Sequence, residues 1–410
     1  MCDPHGGQIA VPVTGRAATR RTEIELEDMA QPGAQRTHEQ WLLELTNLPT
    51  AAGRETRVLS WITAWAARRK NLALTKDRAG NVFITQRRRE ARAARAPLFI
   101  TAHLDHPAFV VSAIRGQDLE LEFRGSVHDP YFDRVRIEIM NARRTVTAQI
   151  VSLNAKAKPF KRVIARLENE GESVQIGDIA RFVFDTSDVV PRIEGGILHS
   201  YACDDLAAVA AALAAMDLLR MRAGMSHVGL LFTRAEEVGF VGALAACKAR
   251  SIPKRARLIC LENSRSFTES PIGDGPIVRV GDRMSVFEPS LTNDISLLVA
   301  EHQKKHTRFR FQRKLMPGGT CEATAFSIYG YRSTCLCLPL GNYHNMIDID
   351  RVQAGERPAR VGPEFVSIAD FHGLIEMLVL CAEGLESPTR PSLHAQMEEL
   401  LRNHGHVLTE

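Results

Sequence analysis

The sequence predicts an α/β fold in which a three-layer α/β/α domain is interrupted by a small all-β domain. Three features of the chain support this prediction. Short apolar runs alternate with helical segments through much of the second half, which is typical of layered α/β domains. Residues 107–199 instead alternate apolar and polar side chains, as half-buried strands do. The length of 410 residues, 45% of them hydrophobic, is sufficient for more than one core.

The first structured element is expected near Thr37. Residues 1–36 mix Gly, Pro, Arg, Thr and Glu without periodicity, so we predict a disordered N-terminal tail. Thr37 and Gln40 have the spacing of a helix capping box, which predicts a helix that begins there. A second helix is expected over residues 55–69, and residues 77–85 have the pattern of a turn followed by a strand.

The α/β pattern stops after a buried strand at residues 97–102 and returns at Tyr201. Beyond Tyr201 we expect a helix over residues 207–219, strands over 228–233, 257–261 and 334–338, and helices over 239–250 and 365–385. The predicted units are therefore a tail (1–36), a discontinuous main domain (37–106 and 200–387), an inserted β domain (107–199) and a polar C-terminal tail (388–410).

The charge of the chain gives no indication of a nucleic-acid or membrane partner. It contains 52 basic and 48 acidic residues, with a formal net charge of +4. No run approaches the roughly 18 apolar residues of a membrane span, and residues 1–21 lack the basic-then-apolar order of a secretory signal. The eight cysteines include no C-x-x-C pair. Reduced thiols and a cytoplasmic location are therefore expected.

Acidic residues and histidines follow the predicted strands at the points where the strands end. These residues are His103, Asp105, Glu236, Glu237, Glu262 and His344, and Asp204 begins a helix where the chain returns from the insertion. Taken singly, each has an ordinary explanation, such as a hydrogen bond, an ion pair or a helix cap. Sites in open α/β sheets lie beyond the carboxyl ends of the strands. The joint occurrence therefore predicts a centre for two divalent ions, with Zn²⁺ the first candidate and Co²⁺ or Mn²⁺ as alternatives.

The predicted ligands divide into two sets that share Asp204. One ion is expected to bind His103 and Glu262, the other Glu237 and His344, and Asp204 bridges them. Glu236 is predicted to be the general base, which takes a proton from the bridging water and passes it to the leaving amine. Asp105 lies two residues after His103, so we expect its carboxylate to accept the other imidazole N–H and orient the ring.

In order and spacing, these motifs resemble those of the co-catalytic di-zinc exopeptidases. Within that group the sequence is most similar to the tetrahedral or glutamyl aminopeptidases, historically called endoglucanase-M-like. The likeness covers roughly residues 38–386 and includes stretches at 77–82, 273–277 and 318–320. It implies a di-metal exopeptidase domain, the same five metal ligands, Glu236 as base and Asp105 as the orienting residue. It also implies a cis peptide between Asp204 and Asp205, and assembly into dimers up to dodecamers through the β insertion.

The chain departs from the family pattern at several positions around the centre. First, Leu206 and Ala208 replace the usual Arg and Gly after the bridging position, and second, His106 replaces an acid. Third, Cys321 and Glu322 follow Gly-Gly-Thr where the family usually has Asp. Fourth, Glu262 replaces the commoner Asp. The first three departures affect substrate preference and assembly more than the ligand set. Further candidates for the substrate pocket are Arg283, Arg313, Lys314 and Glu322, which no spacing argument ranks.

The leading interpretation is a metallo-aminopeptidase that hydrolyses N-terminal peptide bonds. One alternative is a related di-metal amidohydrolase or carboxypeptidase-type enzyme acting on N-acyl amino acids. Another is a non-catalytic scaffold protein. Retention of Glu236 and all five ligand types argues against a scaffold. The β insertion precedes the Glu236-Glu237 motif, which favours the aminopeptidase. Peptide substrates and further copies of the chain are the expected partners.

Overall fold

The computed structural model of the chain describes residues 32–87, 95–141, 144–169, 171–184, 189–387 and 392–408. The α-helices are α1 (Pro32–Thr46), α2 (Thr56–Ala67), α3 (Cys203–Leu219), α4 (Val241–Lys248), α5 (Pro289–Lys305), α6 (Glu322–Ile328), α7 (Ile349–Gln353), α8 (Ile368–Gly384) and α9 (Leu393–His404). The strands are β1 (Leu72–Lys76), β2 (Val82–Gln86), β3 (Leu98–His103), β4 (Ala108–Arg115), β5 (Asp118–Arg124), β6 (Arg136–Met140), β7 (Thr145–Asn154), β8 (Lys161–Leu167), β9 (Ile179–Phe182), β10 (Arg192–Glu194), β11 (Ile197–Ser200), β12 (Val228–Thr233), β13 (Arg257–Arg265), β14 (Ile277–Gly281), β15 (Gln312–Leu315), β16 (Arg332–Leu340) and β17 (Glu364–Ser367).

An eight-stranded mixed sheet forms the centre of the main domain. Its strand order is β1-β2-β12-β3-β13-β16-β14-β15. The four middle strands, β12, β3, β13 and β16, are parallel, whereas β2 and β14 pair with them antiparallel. Every residue of β3 and β12 is buried. Parallel strands are covered on both faces, which explains why their sequences are continuous apolar runs.

Helices cover both faces of this sheet. One core joins the sheet to α1, α2, α3 and α8 through residues such as Leu42, Ile62 and Leu374. A second core joins the opposite face to α4 and α6, with Ala243 and Phe326 among its members. Helix α3 is buried along almost its whole length, which its Ala- and Leu-rich sequence permits because no face needs to be polar. The predicted three-layer α/β/α fold class is confirmed.

The β-rich segment between β3 and α3 contains a closed barrel of six strands. Their order around the barrel is β4-β5-β8-β7-β6-β9, and closure leaves no unpaired barrel edge. Four phenylalanines, Phe109, Phe123, Phe132 and Phe182, fill the interior with ring centroids between 4.9 and 6.2 Å apart. The barrel strands lie within residues 107–199. That this segment is an independent domain stays a prediction.

Helix α1 begins at Pro32, five residues before the predicted start. Proline is favourable at the first helical position because its missing N–H would have no partner there. Thr37 therefore lies inside the helix, and its hydroxyl donates to the Gly33 carbonyl oxygen at 2.9 Å instead of capping an N-terminus. The prediction of a disordered tail is wrong for residues 32–36, and residues 1–31 lie outside the described residues.

The predicted helix over residues 365–385 is also shorter than expected. Its first residues belong to β17, and α8 starts after Ser367, whose hydroxyl accepts a hydrogen bond from the Asp370 N–H at 3.3 Å.

Near the C-terminus, α9 buries none of its residues. None of the helices in the described part of the chain has the length and apolar character to cross a membrane.

Candidate metal centre

The polar residues singled out by the sequence meet at one edge of the central sheet. His103 is the last residue of β3 and lies beside Thr233, the last residue of β12. Glu262 lies on β13, which pairs with β3 on its other side, and His344 follows β16. Because these four strands are parallel, the residues at their carboxyl ends converge. Asp204, in the first turn of α3, completes the cluster.

Asp204 lies between the two histidines. Its Oδ1 is 3.4 Å from Nε2 of His103, and its Oδ2 is 3.4 Å from Nε2 of His344. His344 Nε2 is also 3.4 Å from Oε1 of Glu237. The Asp204–Asp205 peptide is cis, as the resemblance implied.

Three overlapping sets of these residues bring their ligand atoms within 4.8 Å of one another. They are His103, Asp204 and Glu262; Asp204, Glu237 and His344; and His103, Glu236 and Glu237. The first two sets have the composition of the predicted triads that share Asp204. Their binding of metal stays a prediction.

Several atoms of the cluster that could ligate a metal have no hydrogen-bond partner. Asp204 Oδ1, Glu237 Oε1 and His344 Nε2 are buried and unpaired. Buried polar atoms are normally hydrogen-bonded, so an unpaired group of them calls for an explanation. Imidazole nitrogens and carboxylate oxygens in this number suit divalent transition metals. The residues present therefore fit a pair of divalent ions.

The two histidines are held with Nε2 facing the cluster. The Nδ1 atom of His103 is 3.0 Å from the Asp105 carbonyl oxygen, and Nδ1 of His344 is 2.6 Å from the Ser126 carbonyl oxygen. A carbonyl oxygen can only accept, so each Nδ1 carries a proton, and Nε2 is the nitrogen that offers a lone pair when the ring is neutral. This is the tautomer that a metal ligand requires.

The side chain of Asp105 differs from the prediction. Its carboxylate oxygens accept the backbone N–H groups of Glu236 and Glu237 at 2.9 and 3.0 Å, whereas Oδ1 is 3.7 Å from the His103 ring. The strand ends at His103, so the next residues no longer alternate, and the main-chain carbonyl of Asp105 reaches the imidazole instead. Asp105 thus fixes the turn that carries the two glutamates.

Glu364, at the start of β17, is a structural residue that the sequence did not reveal. It is fully buried, and its two carboxylate oxygens accept the backbone N–H groups of Asp204 and His344 at 3.0 and 2.8 Å. One carboxylate therefore joins two ligand-bearing segments. No strand-end motif marks this position, so only the folded chain identifies it.

A Glu364→Gln substitution tests this role. Glutamine keeps the size but offers one acceptor oxygen, so one buried N–H loses its partner at a cost of about 1–3 kcal/mol. We expect affinity for Zn²⁺ to fall about 10- to 100-fold in calorimetric titration of the metal-free protein. Glu39→Gln, which changes a half-buried pair with His372, is the control and should leave the affinity unchanged. An unchanged affinity in Glu364→Gln would contradict the role.

The substitutions that depart from the resemblance have structural partners here. The ring of His106 lies between the Asp204 carbonyl oxygen, at 2.5 Å from Nδ1, and the Asn345 side-chain oxygen, at 3.2 Å from Nε2. Glu322 is buried beside the strand ends, and its Oε2 accepts from the Thr233 hydroxyl at 2.8 Å. Burial raises the pKa of Glu322 to about 7. Leu206 is fully buried and belongs to the hydrophobic core of the main domain.

The buried carboxylates of the cluster repel one another, so their charged forms are unfavourable unless a positive charge lies between them. Burial raises the pKa of Glu236 and Glu262 well above the usual range, and neighbouring acids raise it further. Burial alone would lower the pKa of His103, but the facing Glu236, Asp105 and Asp204 raise it well above its usual value. Close-packed acids of this kind are typical of cation sites, because divalent ions remove the repulsion.

Of the other pocket candidates, Arg313 and Lys314 lie on β15 at a surface cavity of about 480 Å³, next to Phe267 and Pro317. Arg283 is exposed in the loop after β14. Only Glu322 lies next to the cluster.

The family model described as M42 glutamyl aminopeptidase matches residues 80–357, a range that includes all five ligand positions and Glu236. The chain belongs to the M42 glutamyl aminopeptidase family. It is therefore a peptidase, and the suspected relationship to the tetrahedral aminopeptidases is confirmed. No curated protein sequence matches the chain significantly.

Solved structures share this M42 fold at low sequence identity. The TET1 peptidase of Pyrococcus horikoshii is 18% identical, with a TM-score of 0.64 over 84% of this chain and 99% of that one. The aminopeptidase APDkam598 of the archaeon Desulfurococcus kamchatkensis is 18% identical, with a TM-score of 0.65 over 88% and 99%. A TET aminopeptidase from a marine sediment thaumarchaeote is 17% identical, with a TM-score of 0.65 over 85% and 96%. At this identity the likeness concerns the fold.

Proposed function

We propose that the chain is a di-metal aminopeptidase that removes N-terminal residues from peptides. The observation that carries this proposal is the convergence of His103, Asp204, Glu237, Glu262 and His344, with buried acceptor atoms left unpaired, in a chain of the M42 family. In this assignment His103 and Glu262 hold one ion, Glu237 and His344 hold the other, and Asp204 contacts both.

Two divalent ions in these positions, Zn²⁺ being the first candidate, would acidify a water molecule between them and polarise the scissile carbonyl group. Glu236 binds neither ion in this proposal. Its buried carboxylate takes the proton of the attacking water and delivers it to the leaving amine. Asp105 keeps Glu236 in place because it accepts the backbone N–H of Glu236 at 2.9 Å.

The carbonyl oxygens of Asp105 and Ser126 keep both histidines in the metal-binding tautomer. Ser126 lies in the loop after β5 of the barrel, so the inserted segment contributes directly to the site. This contact supports a role of the insertion in forming the centre, and its roles in substrate access and oligomerisation stay predictions.

We also propose that the protein self-associates and works in the cytoplasm. The Pyrococcus horikoshii relative is described as assembling into a tetrahedron or a large octahedral shell, and another solved relative as a dodecamer. Within the described residues, seven cysteines are buried and form no disulfide, which suits a reducing compartment: Cys203, Cys247, Cys260, Cys321, Cys335, Cys337 and Cys381.

A substrate panel tests the proposed reaction. Zn²⁺-loaded protein should release amino acids from aminoacyl chromogens and from peptides with a free amine, and should leave N-acetylated peptides and N-acyl amino acids intact. Mass spectrometry of the products identifies the cleaved bond. Hydrolysis of N-acyl amino acids alone would support the amidohydrolase alternative, and no hydrolysis with any tested metal would support a scaffold protein.

A further inference from the structure

Helix α9 and the 3₁₀ turn that follows it (Gly405–Leu408) leave a group of apolar side chains exposed. None of the residues of α9 is buried. The apolar side chains of this segment are between 44% and 80% exposed, and they belong to Leu393, Met397, Leu400, Leu401, Val407 and Leu408. Single apolar residues are common on protein surfaces, whereas a contiguous group of them marks a contact site.

The apolar side chains of α9 lie along one side of the helix. Leu393, Met397 and Leu400 follow one another at spacings of four and three residues, and His404 comes four residues later. This is the spacing of the seam of a coiled coil, in which each seam side chain packs between those of a neighbouring helix. Leu401 lies beside this seam. Leu393, Met397, Leu400 and Leu401 are called the apolar stripe below.

Helix α9 lacks the packing that stabilises a short helix. It has 12 residues, and isolated helices shorter than about 12–15 residues are marginal in water. The hydroxyl of Ser392 caps its start by accepting the Ala395 N–H at 3.4 Å, but a cap alone does not replace the burial of an apolar face. The helix contacts α5 of its own chain without burying any of its residues. Its apolar stripe therefore points to a partner that the described residues do not supply.

The positions of the charged residues favour a second copy of α9 as this partner. Glu398, Glu399 and Arg402 lie on the side of the helix away from the stripe. The flank next to Leu400 consists of Gln396 and Asn403, which are uncharged. In a two-fold contact each flank faces the same flank of the other copy, so charged residues there would repel one another. The uncharged flank removes this obstacle to self-pairing.

The same residues disfavour a membrane surface as the partner. Helices that lie in membrane interfaces carry several Lys or Arg residues on their polar side. The polar side of α9 has two glutamates and a single arginine. The helix also lies beyond residue 357, where the range matched by the family model ends. A contact through α9 is therefore a feature of this chain outside the matched family range.

We propose that the apolar stripe of α9 packs against the apolar stripe of a second copy of the chain in a two-fold contact. This inference rests on the self-association proposed above and adds a named surface to it, separate from the inserted barrel. It does not depend on the proposed catalytic activity. Leu400 and Met397 form the middle of the contact, and the glutamates of the opposite side stay in water.

Sedimentation velocity of the full chain over a range of concentrations tests this contact. The wild type should form dimers or larger even-numbered assemblies. Leu400→Glu places a carboxylate of each copy in the apolar contact, so we expect the dissociation constant to rise about 100-fold or more. Met397→Glu should act in the same direction. Ala395→Glu adds the same charge on the other side of α9 and is the matched control, which should assemble like the wild type.

Circular dichroism of each variant shows whether the fold is intact, which we expect because all three positions are exposed. Unchanged assembly in Leu400→Glu and Met397→Glu would overturn this inference and leave the proposed self-association in place. Equal loss of assembly in Ala395→Glu would also overturn it, because the stripe would then not be the contact. A monomeric wild type would overturn both proposals, and its co-sedimentation with phosphatidylserine vesicles would assign the stripe to a membrane instead.

Discussion

A Glu236→Gln variant should retain its metal ions and lose its turnover. Glutamine has the size of glutamate but cannot accept a proton from the attacking water, so we expect kcat to fall by about 10²- to 10⁴-fold. The turn should stay in place because Asp105 holds it through the backbone N–H groups of Glu236 and Glu237, not through the exchanged carboxylate. Steady-state kinetics on an aminoacyl chromogen and metal analysis of the same sample measure both effects.

The control for this experiment is Glu269→Gln, which removes an exposed carboxylate paired with Lys314. It should leave kcat within about twofold of the wild type, because surface pairs of this kind contribute little. If Glu236→Gln instead loses metal together with activity, Glu236 is a ligand and not the base. Full activity in the variant would show that another group carries the proton.

An Asp204→Asn variant should have the largest effect on metal content. Asp204 approaches both histidines, with a carboxylate oxygen 3.4 Å from each Nε2. The substitution removes the negative charge that both proposed sites share, and it replaces one of the two ligand oxygens by an amide nitrogen. We expect at most one bound ion per chain and a loss of about 10³-fold or more in kcat/KM, because metal catalysis supplies several kcal/mol.

Metal analysis after equilibration with Zn²⁺, together with kinetics, measures this effect. Asp129→Asn, which changes an exposed carboxylate paired with Lys161, is the matched control and should bind as many ions as the wild type. Two tightly bound ions in Asp204→Asn would contradict the bridging position and require other ligands for each site.

The sequence predicts the framework of this protein because a few strong patterns determine it. The run at residues 228–233 is a strand with the predicted boundaries, and His103 and Glu262 lie on buried strands of the same sheet. Parallel topology then requires their carboxyl ends to meet, so residues far apart in the chain could be assigned to one cluster. The alternation is weaker in β8 of the barrel, where charged residues such as Lys161 and Arg166 occupy several positions.

Contacts that depend on the main chain could not be predicted in the same way. Asp105 was expected to contact the His103 ring through its carboxylate, but its carbonyl oxygen makes that contact because the chain leaves the strand there. Glu364 lies 20 residues after His344 without a recognisable motif, and it is placed only by the pairing of β17 with β11.

The central claim is that this M42 peptidase acts through two ions held by the residues around Asp204. The most direct test is a Zn²⁺ titration of chelator-treated wild-type protein, with the bound ions and the release of N-terminal residues measured in the same samples. The predicted result is two ions per chain, with activity absent in the chelated protein and restored as the sites fill. Full aminopeptidase activity in the chelated protein, or no bound Zn²⁺ in a folded chain, would contradict the account.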